Sequence, residues 1–191
     1  NPYDGERRAG AVGRPLPGVE VRLRNEQGDV IVVEGESGEI QVCGPNVFAE
    51  YWNRPEATQK SFQGGWVSTG DIAVVEDGYY RIMGRSSVDI IKSGGYKLSA
   101  LEIEAALLDH AAIRECAVVG LADETWGEIV AVAAVLHDDQ ALGLTALQSW
   151  CEDRLSSYKV PRRLQIVNAL PRNAMGKVTK PAVAESFAQE K

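Results

Sequence analysis

The alternation of apolar and polar positions gives the chain two textures that meet near Gly84. Before that residue the period is two. Val19-Glu20-Val21-Arg22-Leu23 alternates and runs into the turn-rich Asn25-Glu26-Gln27-Gly28, after which Val30 to Val33 forms a second strand candidate. Further strands are predicted at Gly38 to Val42, Ile72 to Val75 and Tyr79 to Met83, the last entered through the turn pair Asp77-Gly78. Successive side chains of a strand point to opposite faces. These segments therefore predict a mostly antiparallel β region whose apolar faces need a covering layer.

After Gly84 helical and strand periods mix. Ser99-Ala100-Leu101-Glu102 reads as a capping box, and Leu101, Ala105 and Leu108 form an apolar stripe at helical spacing. Two strands follow, Cys116 to Val119 and Ile129 to Leu136. Thr145-Ala146-Leu147-Gln148 repeats the capping signal for a helix running to about Leu155. A short strand at Leu164 to Val167 and a terminal helix from about Pro181 complete a small α+β unit. The chain shows neither internal repeats nor low-complexity segments.

Composition bounds what such a chain can do. Its 191 residues are 45% hydrophobic, enough for one core or two small ones. The net charge of −7 argues against a nucleic-acid surface or an anionic membrane surface. The distribution is more informative than the total: Arg154, Lys159, Arg162, Arg163, Arg172, Lys177 and Lys180 fall in one stretch without a single Asp or Glu. That stretch is either an anion-meeting surface or a solvated basic face. Cys43, Cys116 and Cys151 lie far apart, with only His110 and His137 beside them, which disfavours a metal site and suits a reducing compartment. No apolar run reaches the roughly 18 to 20 residues of a membrane helix. Cytoplasmic residence is the expectation, with an organellar leader left open because the chain starts at Asn1 without Met.

Four sparse polar signatures stand in fixed order: Ser68-Thr69-Gly70-Asp71, Gly84-Arg85, Lys92-Ser93-Gly94-Gly95-Tyr96, and Pro171-Arg172-Asn173-Ala174-Met175-Gly176-Lys177. Together they resemble the C-terminal part of the adenylate-forming superfamily, which includes acyl-CoA synthetases, nonribosomal adenylation domains and firefly-type luciferases. The resemblance implies a fold and a domain plan. Residues 1–84 would be the end of a large N-terminal domain, a β-rich subdomain built as a distorted antiparallel barrel or sheet. Residues 85–89 would be a hinge, with Ser87, Val88 and Asp89 as its candidates, and residues 90–191 a small mobile C-terminal α+β domain.

The same resemblance assigns roles. Lys177 would be the catalytic cation that brings a carboxylate to the α-phosphate of ATP, a task that needs charge placed where it develops. Asp71 would accept the ribose hydroxyls, with Arg85 nearby; hydrogen bonds to an ionised acceptor are worth about 1.5 to 3 kcal/mol. Lys92, Ser93, Gly94, Gly95 and Tyr96 would line the thiol tunnel for CoA, although a glycine pair equally describes a plain hairpin turn. Trp126 would stack on the CoA adenine unless it is core. Lys159, Arg162 and Arg163, around Tyr158-Lys159-Val160-Pro161, are candidates for the CoA phosphates. ATP, Mg²⁺ carried by its phosphates, and CoA are the implied cofactors, and no protein-held metal is implied.

One departure marks a subtype. Arg85 to Gly95 spans ten positions, one more than most members show, and position 87 is Ser, with Asp89 the nearest acid. That spacing, together with Asn1-Pro2-Tyr3-Asp4-Gly5-Glu6-Arg7-Arg8, Gly44-Pro45-Asn46-Val47-Phe48 and Val88 to Lys97, looks like malonyl-CoA synthetases. The implied function is an ATP-dependent acid:CoA ligase acting on malonate or methylmalonate. The alternatives are a medium-chain, long-chain or aryl acyl-CoA synthetase, an amino-acid-adenylating domain, or a noncatalytic binding module. The family's Ser/Thr/Gly-rich phosphate loop and Tyr-Gly-x-Thr-Glu segment do not occur here. The chain alone is therefore expected to be inactive, with the remainder of the N-terminal domain as its partner.

Overall fold

The computed structural model describes Asn1 and residues 4–189; Pro2 and Tyr3 of the N-terminal motif lie outside the described residues, as do Glu190 and Lys191. The chain divides into two compact units, Asn1–Ser86 and Ser87–Lys191.

The first unit is an antiparallel sheet. Its strands are β1 (Glu20–Arg24), β2 (Val30–Ile31), β3 (Gly38–Cys43), β4 (Phe62–Gln63), β5 (Trp66–Glu76) and β6 (Tyr79–Arg85), with a short helix α1 (Pro55–Ser61) before β4. The order is β2-β1-β3-β5-β4, and β6 pairs along β5. Asp77 and Gly78, at φ 51° and 76°, make the two-residue turn between β5 and β6, the geometry that matches strand twist. The core is thin: Leu23, Ile40 and Ala73 are buried, with Val21, Ile31, Val42, Val75 and Tyr80 packed on them. The N-terminal segment is strapped to β6 by Val12 N–H to Tyr80 O and Tyr80 N–H to Gly13 O, both 2.8 Å.

In this unit β4 lies outside every expected strand, and two others have different bounds. β5 begins at Trp66, not Ile72, and the strand predicted to Val33 stops at Ile31, leaving Val32 88% exposed. Helix α1 had no apolar stripe to announce it, and it has no buried residue, only Pro55 at its first turn and Glu56 beside the positive end of the dipole.

The second unit contains β7 (Ile90–Ser93), β8 (Tyr96–Ser99), α2 (Ala100–Leu107), β9 (Ile113–Asp123), β10 (Gly127–Leu136), α3 (Leu144–Glu152), β11 (Arg163–Ile166) and α4 (Lys180–Gln189). The sheet runs β11-β10-β7-β8, with β9 along the other edge of β10 and β11 parallel to it. β10 is apolar on both faces. Val130, Val132 and Ala134 enter one core with Ile103, Leu107 and Leu147, and Ala131, Ala133 and Val135 enter a second with Val183 and Phe187 of α4. A strand covered on both sides reads as an unbroken apolar run, as Ile129 to Leu136 does. β9 alternates in the same way and is much longer than Cys116 to Val119, because Arg114 and Glu115 continue it while keeping their heads toward the surface.

Two helix readings need correction. The buried face of α2 is Ala100, Ile103 and Leu107, whereas Leu101, Ala105 and Leu108 are exposed. Both sets have helical spacing, and packing onto β9 selects between them. Ser99 does cap this helix, its Oγ accepting from Glu102 N–H at 3.1 Å, while the Glu102 carboxylate reaches Lys159 Nζ at 2.5 Å. Thr145 caps nothing: α3 starts at Leu144 behind Gly143, in extended backbone with no side-chain cap.

These caps separate experimentally. Ser99→Ala should cost about 1 kcal/mol in urea unfolding, whereas Thr145→Ala should be nearly neutral. The Cys116 thiol, buried beside Glu104 and with Lys180 partly opposing, is pushed up to about 12 from 9.0. The unfolded chain sheds that proton first, so this group's contribution is complete below pH 9.0 and is lost as pH rises toward about 12. Cys116→Ala should flatten this alkaline decline, measured by urea titration.

Candidate functional site

In the first unit the register breaks beside Asp71. Gln41 of β3 pairs with Ser68 and Glu39 with Ile72, so Thr69, Gly70 and Asp71 stand opposite Ile40 alone. Such a bulge re-aims side chains. Thr69 Oγ1 donates to Ile40 O at 3.0 Å and accepts from Asp71 N–H at 3.1 Å, and Gly70 N–H donates to Glu39 Oε1 at 3.1 Å. Gly70 sits at φ 78°, in the left-handed region, where a Cβ would come 3.2 Å from Arg85 Nη1. Arg85 lies directly across on β6. Its Nε contacts Asp71 Oδ1 at 2.9 Å and its Nη1 donates to Thr69 O at 2.9 Å. The carboxylate is thus oriented by a cation yet keeps 28% of its side chain exposed, which leaves acceptor capacity for a ligand.

In the second unit Gly94 and Gly95, at φ 57° and 85°, form the two-residue turn of the β7–β8 hairpin, closed by the Ser93–Tyr96 pair. The hairpin reading and the tunnel reading therefore describe the same backbone. The turn lies against Trp126: Gly94 N–H donates to Trp126 O at 2.9 Å, and a Cβ on Gly94 would fall 3.0 Å from the indole. Trp126 is 40% exposed, so it is not a core tryptophan. Arg162 places its guanidinium 4.3 Å from the indole centroid. Tyr96 stacks on Tyr158 at 4.4 Å and 5°. Lys159 sits 5.9 Å from the Tyr158 ring while held by Glu102. Lys92 gives its N–H to Glu128 at 2.5 Å and exposes its side chain, while Ser93 is 5% exposed.

Gly94, Gly95, Tyr96, Trp126, Lys159 and Arg162 thus converge on one aromatic and cationic surface. Arg163 does not join them. Neighbouring positions of an extended segment point to opposite faces, and Arg163 turns to α4, donating to Phe187 O at 3.2 Å and covering that ring at 5.2 Å.

Lys177 stands on a tight loop that opens after Pro171. Asn173 organises it: its Oδ1 accepts from Met175 N–H and Lys177 N–H, both at 3.0 Å, and its own N–H donates to Lys177 O at 2.9 Å. Gly176, at φ 78°, makes the reversal, and Arg172 Nη1 donates to its carbonyl at 2.7 Å while the other arm pairs with Glu115. An Arg172–Val178 bridge and Thr179 N–H to Pro171 O at 2.9 Å close the stem. The backbone under Lys177 is therefore ordered while its side chain is exposed and has no ion-pair partner among the described residues. Of the hinge candidates, Ser87 and Val88 are exposed, whereas Asp89 is buried at the start of β7 and pairs with Lys180.

Sequence reasoning passed over Asn173, Tyr158 and Lys180. Asn173 carried a signal, since Asn is the residue that bonds its own turn two positions on. The roles of Tyr158 and Lys180 depend on partners remote in sequence. No group of three His, Cys, Asp or Glu residues converges to hold a metal among the described residues. None of the helices there is long and apolar enough to cross a membrane.

Residues 1–52 match the AMP-binding enzyme family, and residues 102–177 match the AMP-binding enzyme C-terminal domain. A malonate–CoA ligase of Arabidopsis thaliana is 47% identical over 199 residues, covering 98% of this chain and 32% of the relative. The mitochondrial malonate–CoA ligase ACSF3 of Xenopus laevis is 47% identical over 207 residues, covering 98% of this chain and 36% of the relative. Among solved structures, ATP-bound MatB from Rhodopseudomonas palustris superposes with a TM-score of 0.85 at 36% identity, covering 98% of this chain and 37% of that one. The chain spans about a third of the length of these relatives. With both family matches, this level of identity and the shared fold, the chain belongs to the adenylate-forming, AMP-binding enzyme family.

Proposed function

We propose that this chain is part of an ATP-dependent acid:CoA ligase that converts malonate first to an acyl-adenylate and then to its CoA thioester. The observation that carries this reading is the exposed ammonium of Lys177 on an ordered loop, in a chain 47% identical to a malonate–CoA ligase. In the first half-reaction a carboxylate oxygen attacks the α-phosphorus of ATP and pyrophosphate leaves. Two anions must meet, and Lys177 supplies the charge that lets them. Asp71, held by Arg85, accepts the ribose hydroxyls. Mg²⁺ would arrive on the phosphate oxygens of ATP.

In the second half-reaction the CoA thiol attacks the acyl carbonyl and AMP leaves. The Gly94-Gly95 turn offers a narrow backbone edge for the pantetheine, Trp126 an aromatic face for the adenine, and Arg162 a cation for phosphate. Arg163 is assigned a structural task instead. The joint between the units is assigned to Ser87 and Val88, because Asp89 is tied into the second unit. Leu16, Val32 and Trp52, at 69%, 88% and 83% exposure, form surface that the remainder of an N-terminal domain would cover. We assign the reaction to a reducing compartment, the cytoplasm or the interior of an organelle, since the free thiols of Cys43, Cys116 and Cys151 suit both.

Lys177→Ala in the whole enzyme should reduce acyl-adenylate formation by about 10² to 10³-fold, the scale of removing one transition-state donor, and spare thioester formation from supplied malonyl-adenylate. Equal loss of both half-reactions would overturn the division of labour. Trp126→Ala and Gly94→Ala should do the reverse, raising the KM for CoA by about tenfold, equivalent to about 1.4 kcal/mol, with adenylate formation intact in a pyrophosphate-exchange assay.

A further inference from the structure

Three residues after Lys177, a second lysine has the opposite environment. Lys180 opens α4, and only 11% of its side chain is exposed. Its Nζ lies 2.6 Å from Asp89 Oδ1 and 2.9 Å from Glu104 Oε1. Asp89 is buried and Glu104 partly so, with 11% and 16% of their side chains exposed. Each is fastened to a different element. Asp89 precedes β7, and its carbonyl accepts from Ala100 N–H at 2.8 Å. Glu104 is on α2, and its Oε1 also accepts from Val118 N–H at 2.7 Å, on the free edge of β9.

An ammonium so placed has a mechanical consequence. Burying charge costs several kcal/mol per ion, and a close counter-charge offsets it; Lys180 Nζ meets both carboxylates at ion-pair distance without an aligned hydrogen bond, so the hold is electrostatic and the trio resists any shift that would part the ammonium from its two anions. Only Val178 and Thr179 separate Lys180 from Lys177, and both are already fixed to the other side of the loop, Val178 to Arg172 and Thr179 to Pro171. The loop therefore has little slack between its cation and its anchor.

We propose that Lys180 is a positioning residue for Lys177: its buried ammonium pins the exit of the loop to Asp89 and Glu104, so that the exposed ammonium is delivered from a fixed base. This rests on the adenylate-forming role assigned to Lys177. Lys180 touches no substrate in this scheme. Asp89 adds a second consequence. The residue beside the joint and the base of the loop share one ion pair, so a movement of the second unit carries Lys177 as part of the same rigid piece.

Three variants of the whole enzyme test the proposal: Lys180→Met, Lys180→Arg, and a neutral trio combining Asp89→Asn, Glu104→Gln and Lys180→Met. The trio leaves no uncompensated buried charge, so it remains measurable if Lys180→Met alone fails to fold. Lys180→Met and the trio should lower kcat for adenylate formation by about 10²-fold, the scale of a displacement of about 1 Å, with KM for ATP and thioester formation from supplied adenylate unchanged. Lys180→Arg should recover most of the loss. In this chain, hydrogen exchange at the Met175 and Lys177 amides should quicken in the two uncharged variants and not in Lys180→Arg. Unchanged adenylation and unchanged exchange in a folded neutral trio would overturn the proposal, as would equal loss of both half-reactions. Lys177→Ala run alongside separates the two claims. Intact adenylation in that variant defeats the functional reading and leaves the anchor to be judged on exchange alone. Its loss there, with full adenylation in the Lys180 series, defeats the anchor and leaves the function standing.

Discussion

Strand β10 has apolar side chains on both faces, and that demand for two covering layers decides where the proposed site residues of the second unit come to lie. One face takes α2 and α3, the other takes α4. Helix α4 can cover its face only if the chain arrives from β11 through a loop that ends at Lys180, and that loop is the one that carries Lys177. On the opposite edge, β9 and β10 are joined through Asp123 to Gly127, which sets Trp126 beside the β7–β8 turn. The aromatic surface and the cationic loop are both by-products of burying one strand twice.

The first unit solves a different problem. Its buried cluster, Leu23, Ile40 and Ala73, is small, and the placement of Asp71 rests on a local break in pairing rather than on deep packing. Three residues of β5 face one of β3, and the hydroxyl of Thr69 bonds both strands across the gap. Asp71 and Arg85 then meet as a partly exposed pair, a kind of contact that contributes little to stability. Its value lies in orientation.

Much of this was legible in the sequence, and the exceptions share a cause. Helix α1, β4 and the first half of β5 carry no local signal, whereas the change of texture near Gly84, the strands β1, β3 and β6, the Asp77-Gly78 turn and the Ser99 cap follow from local period and local chemistry. The rotation of α2 does not, because Leu101-Ala105-Leu108 and Ala100-Ile103-Leu107 are equally good stripes until β9 is present to choose. Thr145 looked like a cap because its neighbours fit the pattern, but Gly143 holds the extended backbone at that end. The site residues follow the same division. Lys177, Asp71 and the glycine pair stand out as sparse polar motifs, whereas Lys180 looks like any basic residue of its stretch until two carboxylates from distant segments surround it.

Arg162 and Arg163 are adjacent in sequence yet serve opposite sides of the sheet, one over Trp126 and the other over Phe187. Strand parity fixes this assignment, so a slip of β11 by one residue against β10 would exchange the two roles while leaving composition and charge untouched. Register, more than charge, is therefore what this strand has to preserve: the same two guanidiniums, slipped by one position, would each face the other's ring.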